Sequence, residues 1–325
     1  MPINSQPDSM PVLDRLNDQM REILDRQTVA AASAPTRDAD DFRGMRLDYR
    51  AERAYWNEGG PRMLATTDGV VATDDGPVPI RFHRPTDASR PAAIVYFHGG
   101  GWILGDLDTH DRIMRNLAQH TGAVVIGVDY ALSPEARFPV PVNQCIAVIE
   151  YLAEHAETLQ IDGSNLTFAG DSAGAHLALA ATLGLAGRWS AVTPKCLLLF
   201  YGVYGMMDSP SRRLLGGPWD GMTRADLDFY WQQYLAGAND ARNPLVDHLS
   251  ADLSSVPPCY LAAANLDPAK DDSITLAALL TRQGTANELV MYDGVLHGFL
   301  HYTRQLDEAT AAFVDAAAFY RKHTS

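Results

Sequence analysis

Apolar positions near the start of the chain form a one-sided stripe. Val12, Leu13, Leu16, Met20, Ile23 and Leu24 recur at three- and four-residue steps, which predicts an amphipathic helix from Pro11 to Arg26. Pro11 suits its first turn, and Asp8 or Ser9 suits the cap. The period changes between Thr66 and Arg84. There Val70-Val71 and Val78-Pro79-Ile80 flank Asp74-Asp75-Gly76, a hairpin pattern.

From Ala92 onward, short apolar runs alternate with helical stripes. Ala92–Phe97, Ala123–Val128, Leu166–Ala169, Cys196–Tyr201, Cys259–Ala264 and Glu288–Tyr292 read as buried strands. Asp111–Thr121, Val142–Leu159, Ala173–Leu185, Asp272–Arg282 and Leu306–Lys322 read as the helices between and after them. Such alternation predicts an α/β architecture, a mostly parallel sheet with helices on both faces.

One stretch breaks the rhythm. Gly202 to about Val256 is too long for a connection, and it holds its own helix. Thr223 and Asp226 form a capping-box pattern, and Leu227, Tyr230, Trp231, Tyr234 and Leu235 make an apolar stripe. We read an N-terminal cap over residues 1–60, a catalytic domain over 61–325, and a cap insertion at about 203–242, together a lid over the carboxyl edge of the sheet.

Composition narrows the partners. The formal net charge of −14 opposes binding to nucleic acid or to anionic membranes, which need basic patches. Cys145, Cys196 and Cys259 are widely spaced and odd in number, as expected of free thiols in a reducing compartment. Met1 to Asp18 lacks a basic segment followed by an apolar one, and the apolar run His176–Gly187 is too short to span a bilayer. A cytoplasmic enzyme is the expectation. Neither a His-Glu-x-x-His motif nor a paired-cysteine spacing occurs, so no metal and no organic cofactor is expected. The oligomeric state stays open, with a homodimer among the options.

Two glycine-rich turns carry the chemistry. Gly170-Asp171-Ser172-Ala173-Gly174 sits between a predicted strand and an Ala/Leu-rich helix. Its glycines permit the sharp turn that lifts a nucleophilic serine out of the sheet, although a serine there can also merely cap the helix. His98-Gly99-Gly100-Gly101-Trp102 follows the strand Ala92–Phe97 and can aim bare N–H groups at one oxyanion. A phosphate-cradling loop is the rival reading, but the Gly-x-Gly-x-x-Gly spacing is missing.

A serine needs a base, and the base needs an orienting acid, in the chain order nucleophile, acid, histidine. His297, His301 and His323 lie late enough. His297, in the loop Asp293–Phe299 after a strand, is the choice; His301 reads as a supporting or surface residue, and His323 lies at the C-terminus. Asp267 follows the strand Cys259–Ala264 directly. Asp271 and Asp272 begin the next helix, where carboxylates often only offset the dipole.

Together His98–Trp102, Gly170–Gly174, Asp267-Pro268 and His297-Gly298-Phe299 resemble the hormone-sensitive-lipase-like (family IV) esterases of the α/β-hydrolase superfamily. The likeness spans nearly the whole chain, including Tyr130–Pro139. Leu104–Arg115 and Arg212–Gly221 narrow it to the bacterial acetyl esterases. The resemblance implies an α/β-hydrolase fold with a helical cap, and hydrolysis of short-chain acyl esters, acetyl to butyryl. It implies Ser172 as nucleophile, His297 as base and acid, and Asp267 as orienting carboxylate. The N–H groups of Gly100, Gly101 and Ala173 would be oxyanion donors, with Gly99 a fourth, and His98 would brace the loop. Asp129, Glu135 and Arg137 read as structural. Trp102, Trp219, Tyr230 and Trp231 are candidates for the substrate pocket, with core packing as the alternative. Ala269-Lys270-Asp271-Asp272 departs from the commoner family pattern, which touches the surroundings of the acid and not the triad.

The implied partner is a small-molecule ester. A longer-chain lipase, an amidase or a carbamate hydrolase would use the same residues. A ligand-binding or regulatory protein on the same fold would not need a base behind the serine.

Overall fold

The structure is a computed structural model that describes residues 11–32, 36–186, 188 and 192–324. The expected alternation of strands and helices closes into one eight-stranded sheet, ordered β1-β2-β4-β3-β5-β6-β7-β8. Its strands are β1 (Ala65–Val71), β2 (Val78–Arg84), β3 (Ala92–Phe97), β4 (Val124–Val128), β5 (Asp162–Asp171), β6 (Leu197–Phe200), β7 (Cys259–Ala264) and β8 (Asn287–Tyr292). The hairpin β1–β2 and the β2–β4 pair are antiparallel, and the remaining pairs are parallel. The predicted α/β class and mostly parallel sheet are therefore what the chain forms.

Alternation along β3 shows why helices must cover both faces. Ala93, Val95 and Phe97 pack into one core with Val142, Ile146 and Ile149 of α4 (Val140–Glu154), with α5 (Ala173–Leu185), and with Leu276 and Leu280 of α8 (Lys270–Arg282). Ile94 and Tyr96 point the other way. They meet Ile113 and Leu117 of α3 (Asp111–Thr121), Phe313 of α9 (Asp307–Thr324), and Met20, Ile23 and Leu24 of α1 (Asp18–Ala31).

The N-terminal region departs from expectation. A helix running from Pro11 to Arg26 is interrupted: Val12–Arg15 form a short 3-10 turn, and α1 starts only at Asp18. Asn17 makes the break. Its side chain accepts the Met20 N–H at 2.7 Å, and its own N–H donates to the Gly294 carbonyl at 3.0 Å, so a true N-cap restarts the helix against the loop after β8. The caps proposed at Asp8 and Ser9 lie outside the described residues. A second helix, α2 (Phe42–Asn57), is capped by Asp41, which accepts the Gly44 N–H at 2.8 Å.

The excursion between β6 and β7 carries α6 (Pro210–Leu214) and α7 (Arg224–Tyr234). The capping box forms: Thr223 Oγ1 accepts from Asp226 N at 3.2 Å, and Asp226 accepts from Thr223 N at 2.9 Å. No helix among the described residues is long and apolar enough to cross a membrane.

Candidate active site

The turn from β5 into α5 is folded so tightly that two of its residues cannot carry a Cβ. A Cβ on Gly174 would strike the carbonyl of Phe97, and one on Gly170 would strike the backbone of Gly174. Ser172 between them adopts φ 52° and ψ −118°. That is a left-handed, strained conformation for a non-glycine residue, held because Ser172 N donates to Phe200 O at 2.9 Å. The strain lifts the hydroxyl above the sheet edge.

Two loops from neighbouring strands reach that hydroxyl. The β8 loop brings His297, whose Nε2 lies 2.8 Å from Ser172 Oγ. The β7 loop brings Asp267, whose Oδ2 lies 2.8 Å from His297 Nδ1. Asp267 is fully buried, and its other oxygen accepts the Ala269 N–H at 2.7 Å. Burial disfavours the imidazolium of His297, but the Asp267 charge and hydrogen bond outweigh it, so its pKa is raised above the ordinary histidine value. The carboxylate also makes Nδ1 the protonated nitrogen, leaving Nε2 free to accept a proton.

The other acidic candidates point elsewhere. Asp271 accepts the Ser211 N–H at 2.8 Å. Asp272 accepts the Tyr204 N–H at 2.7 Å and pairs with Arg212 at 2.7 Å, both side chains buried. They tie the β6–β7 excursion to α8. His301 is not a surface residue as one alternative had it. It is buried with its ring 4.7 Å from His110 and Nε2 3.5 Å from the Tyr49 hydroxyl. His323 packs on Phe319 in the last helix.

The glycine loop needs one correction. Gly99 N–H donates to Asp171 Oδ1 at 2.9 Å, so it is engaged and drops out of the candidate oxyanion donors. Gly100 (φ 116°) and Gly101 (φ 60°) turn the loop in left-handed backbone, and both line the cavity beside Ser172 and Ala173. Ala173 is the first residue of α5, where an N–H has no partner within the helix. His98 is buried and stacked on Tyr130, with Nδ1 2.8 Å from Gly99 O; burial lowers its pKa to about 4, so it acts as a neutral brace.

Asp171 anchors both turns. It is buried, accepts from Tyr96 OH at 2.5 Å, and lies 3.4 Å from Tyr201 OH. Burial opposes its charge, yet His110 and these donors hold its pKa below the usual carboxylate range. His110, Asp171 and His301 place one ligand atom each within 4.8 Å of one another, the one such grouping among the described residues. Its carboxylate is already taken up by Tyr96 and Gly99.

A cavity of about 1,050 Å³ opens above Ser172, lined by the glycine loop, α1, α2 and residues 218–231. Trp102, Trp219, Tyr230 and Trp231 all line it, and Trp102 also packs on Trp231 and Tyr234 in an aromatic cluster. Arg46 of α2 binds Glu135 at 2.7 Å and the carbonyls of Ile103 and Ser133 at 2.9 Å. Arg137 donates to the carbonyls of Gln232 and Leu235. Both arginines seat the covering helices on the sheet edge. Asp129 lies 3.8 Å from His98 Nε2, and burial pushes its carboxyl up to about 6.

Sequence reasoning missed Asp220. It lines the cavity between Trp219 and Gly221, and burial together with Asp267 pushes its carboxyl up to about 7. No periodicity or spacing marks it, because its setting is created by the excursion folding back. Tyr49 and Arg53, also in the lining, were within reach: α2 carries an apolar and aromatic stripe at Met45, Tyr49 and Trp56.

A family model described as the alpha/beta hydrolase fold matches residues 94–301. The chain is 44% identical over 318 residues to the acetyl esterases of Salmonella paratyphi B and Salmonella agona, covering 96% of this chain and 96% of theirs. Among solved structures, it superposes on a hyperthermophilic esterase from the archaeon Pyrobaculum calidifontis with a TM-score of 0.87 at 32% identity, over 95% of this chain and 98% of that one. An ester hydrolase from the metagenome of Lake Arreo, complexed with a bipyridine phosphonate derivative, superposes with a TM-score of 0.88 at 28% identity, over 95% and 99% of the two chains.

Proposed function

This chain belongs to the α/β-hydrolase fold family, and on that premise we propose that it is a serine carboxylic-ester hydrolase acting on short acyl esters, acetyl to about butyryl. The observation that carries the reading is the unbroken hydrogen-bonded chain Ser172–His297–Asp267 at the floor of a cavity. The acetyl esterases named above support the short acyl group.

Ser172 Oγ attacks the ester carbonyl as its proton passes to His297 Nε2, and the carbonyl oxygen becomes an oxyanion facing the N–H groups of Gly100, Gly101 and Ala173. Asp267 holds the imidazole in register and stabilises the imidazolium. As the tetrahedral species collapses, the bond to the alcohol oxygen breaks and that oxygen takes the proton from Nε2. Water then enters, gives a proton to His297 and attacks the acyl-enzyme. Collapse returns the proton to Ser172 and releases the carboxylic acid. No bound metal is needed for any of these transfers.

Residues 1–60 and about 203–242 act as the cap in this reading. Both contribute lining residues to one cavity above Ser172, so they shape the substrate and exclude water while the sheet supplies the chemistry.

The test is hydrolysis of nitrophenyl acetate by the intact protein and by Ser172→Ala. The intact protein turns over the ester, and the variant falls by at least about a thousandfold while keeping its thermal melting profile. A Ser172→Ala protein that keeps more than a few per cent of turnover overturns the nucleophile, and an intact protein inert toward the acetate overturns the activity.

A further inference from the structure

A buried histidine beside the Ser172 turn leaves one ring nitrogen without a partner, and that nitrogen faces a carboxylate. His110 caps the start of α3 and is fully buried. Its Nδ1 lies 2.9 Å from Thr109 Oγ1, and the same oxygen accepts the Asp106 N–H at 2.8 Å, so the ring is held in the turn. The opposite nitrogen, Nε2, has no hydrogen-bond partner among the described residues and lies 3.6 Å from Asp171 Oδ1.

That separation constrains what Nε2 carries. A bare lone pair turned toward a carboxylate oxygen in a buried site is repulsive. A water cannot stand between the two atoms, because two ordinary hydrogen bonds end to end span about 5.5 Å. A hydrogen on Nε2 removes the conflict, and the Thr109 hydroxyl permits it because a hydroxyl either gives or takes a hydrogen at Nδ1. The gap is a few tenths of an ångström longer than a formed hydrogen bond, so the contact acts through charge and orientation.

The carboxylate needs such a neighbour. Asp171 is buried, and its close donors, Tyr96 OH at 2.5 Å and Gly99 N at 2.9 Å, are both uncharged. Burial works against its ionised form, and His110 is the largest influence that offsets burial. The His110 ring is itself boxed in by His98 at 5.3 Å and His301 at 4.7 Å, with the Arg53 charge acting on His301 from beyond.

We propose that His110 is a positioning residue for the reaction: a hydrogen on its Nε2, aimed at Asp171, keeps that carboxylate seated against both the Ser172 turn and the Gly99 loop. This rests on the ester-hydrolase reading above. Asp171 adjoins Ser172 in the chain and holds the Gly99 N–H, so a carboxylate that drifts loosens nucleophile and oxyanion donors together. His110 is fully buried and reaches the reaction through Asp171, so its loss falls on kcat rather than on KM.

Two substitutions separate this role from plain ring packing. His110→Gln keeps an amide donor near the Nε2 position and loses the ring; His110→Phe keeps a ring and loses the donor. On nitrophenyl acetate, His110→Phe lowers kcat by about tenfold or more with KM within about threefold, and His110→Gln keeps at least about a third of kcat. In an Asp171→Asn background the His110→Phe step changes kcat by less than about twofold, because its partner is already gone. Histidine-selective ¹⁵N NMR on the intact protein, with His110 assigned from the Gln variant, shows Nε2 protonated at the assay pH. A bare Nε2 overturns the proposal. So does His110→Phe matching the intact protein or outperforming His110→Gln, and so does an equal loss with and without the Asp171 carboxylate. Zinc titrated into the intact protein finds no site that depends on His110; stoichiometric zinc lost in His110→Phe would make Nε2 a metal ligand and overturn the proposal as well. If the variants do not fold, the NMR signal of the intact protein decides. If the intact protein hydrolyses no ester, the hydrolase reading falls while the same signal still decides the His110–Asp171 pair, so the two failures are told apart.

Discussion

Asp171 accepts the N–H of Gly99 at 2.9 Å, so the residue next to Ser172, the proposed nucleophile, also holds the loop that would receive the oxyanion. The two glycine-rich turns are thereby tied together through one buried carboxylate. Catalysis by fixed dipoles depends on this kind of preorganisation.

Asp171→Ala removes the shared anchor and leaves the Gly99 N–H and the Tyr96 hydroxyl buried without acceptors. We expect a loss of about 2–5 kcal/mol in stability and of about a hundredfold in kcat, with KM changed far less, because the loop's donors act in the transition state. Gly99→Ala gives the same kinetic pattern by driving a methyl group into the Asp171 carboxylate. Chemical denaturation and steady-state kinetics on nitrophenyl acetate check both. A variant that binds worse but turns over normally contradicts the coupling.

Asp267 and Asp272 should fail in different ways. Asp267→Asn keeps the shape but no longer fixes the Nδ1 proton of His297, so kcat drops by about 10⁴-fold with little change in melting temperature. Asp272→Asn leaves the buried Arg212 guanidinium without its counter-charge, and this costs about 3–5 kcal/mol of stability. Below its melting temperature it retains most of its turnover. Equal kinetic losses at both positions would contradict the assignment of the acid.

The sheet was legible because its signals are local. The predicted bounds of β3, α3, α5 and β7 coincide with the observed ones, since each is a short apolar run or stripe with glycine or proline beside it. Where a distant partner decides, the pattern misleads. Asn17 breaks the first helix because Gly294, far along the chain, accepts its N–H. The helix expected to reach Leu159 ends at Glu154 and is followed by turns that carry apolar residues onward. The same limit applies at the site. Ser172 and His297 announce themselves by turn chemistry, whereas the engagement of Gly99 and the buried setting of Asp220 exist only after loops from several elements meet.

Acid should destabilise the fold through its buried histidines. Burial lowers His83 and His98 to about 4 and His248 to about 3, and holds His176 and His301 well below the ordinary value of 6.5. Between about 6.5 and 4 the unfolded chain binds protons that the folded one refuses, so stability falls as pH falls through that window. Asp129 and Asp272, raised to about 6, and Asp220, raised to about 7, bind protons preferentially in the folded state and oppose the trend below about pH 7. The histidines are more numerous, so melting temperature declines from pH 6.5 to 4. His248→Phe, which removes one of these groups, should flatten the slope. A melting temperature that rises toward pH 4 would contradict this.

The pH profile of activity has its own sign. In the proposed mechanism His297 must be neutral to take the proton of Ser172, and its pKa is raised because the carboxylates beside it outweigh its burial. The acid limb of kcat/KM therefore lies above the ordinary histidine value of about 6.5. Asp220 contributes to that raising when ionised, so Asp220→Asn shifts the limb to lower pH, and Asp129→Asn shifts it much less. A limb that moves to higher pH in Asp220→Asn contradicts the arrangement.

Acyl-chain length tests the cap. Each methylene that finds room is worth about 0.8 kcal/mol of burial, so a site open on the acyl side would favour longer chains steadily. A short-chain preference requires a wall near the oxyanion loop, and Tyr230 is the side chain we propose for it. Its ring lies so close to Gly101 that a Cβ there would sit 2.7 Å from Tyr230 Cδ1. Tyr230 is only partly buried and lines the cavity, so trimming it removes volume without opening the aromatic cluster of Trp102, Trp231 and Tyr234. We expect kcat/KM on nitrophenyl esters to peak between acetate and butyrate in the intact protein and fall steeply by octanoate. Tyr230→Ala should move the peak toward hexanoate or beyond, raising kcat/KM on the longer esters by about tenfold relative to acetate. A peak at octanoate in the intact protein would replace the short-chain reading with that of a longer-chain lipase. An unmoved peak in Tyr230→Ala would place the wall on another residue of the cap.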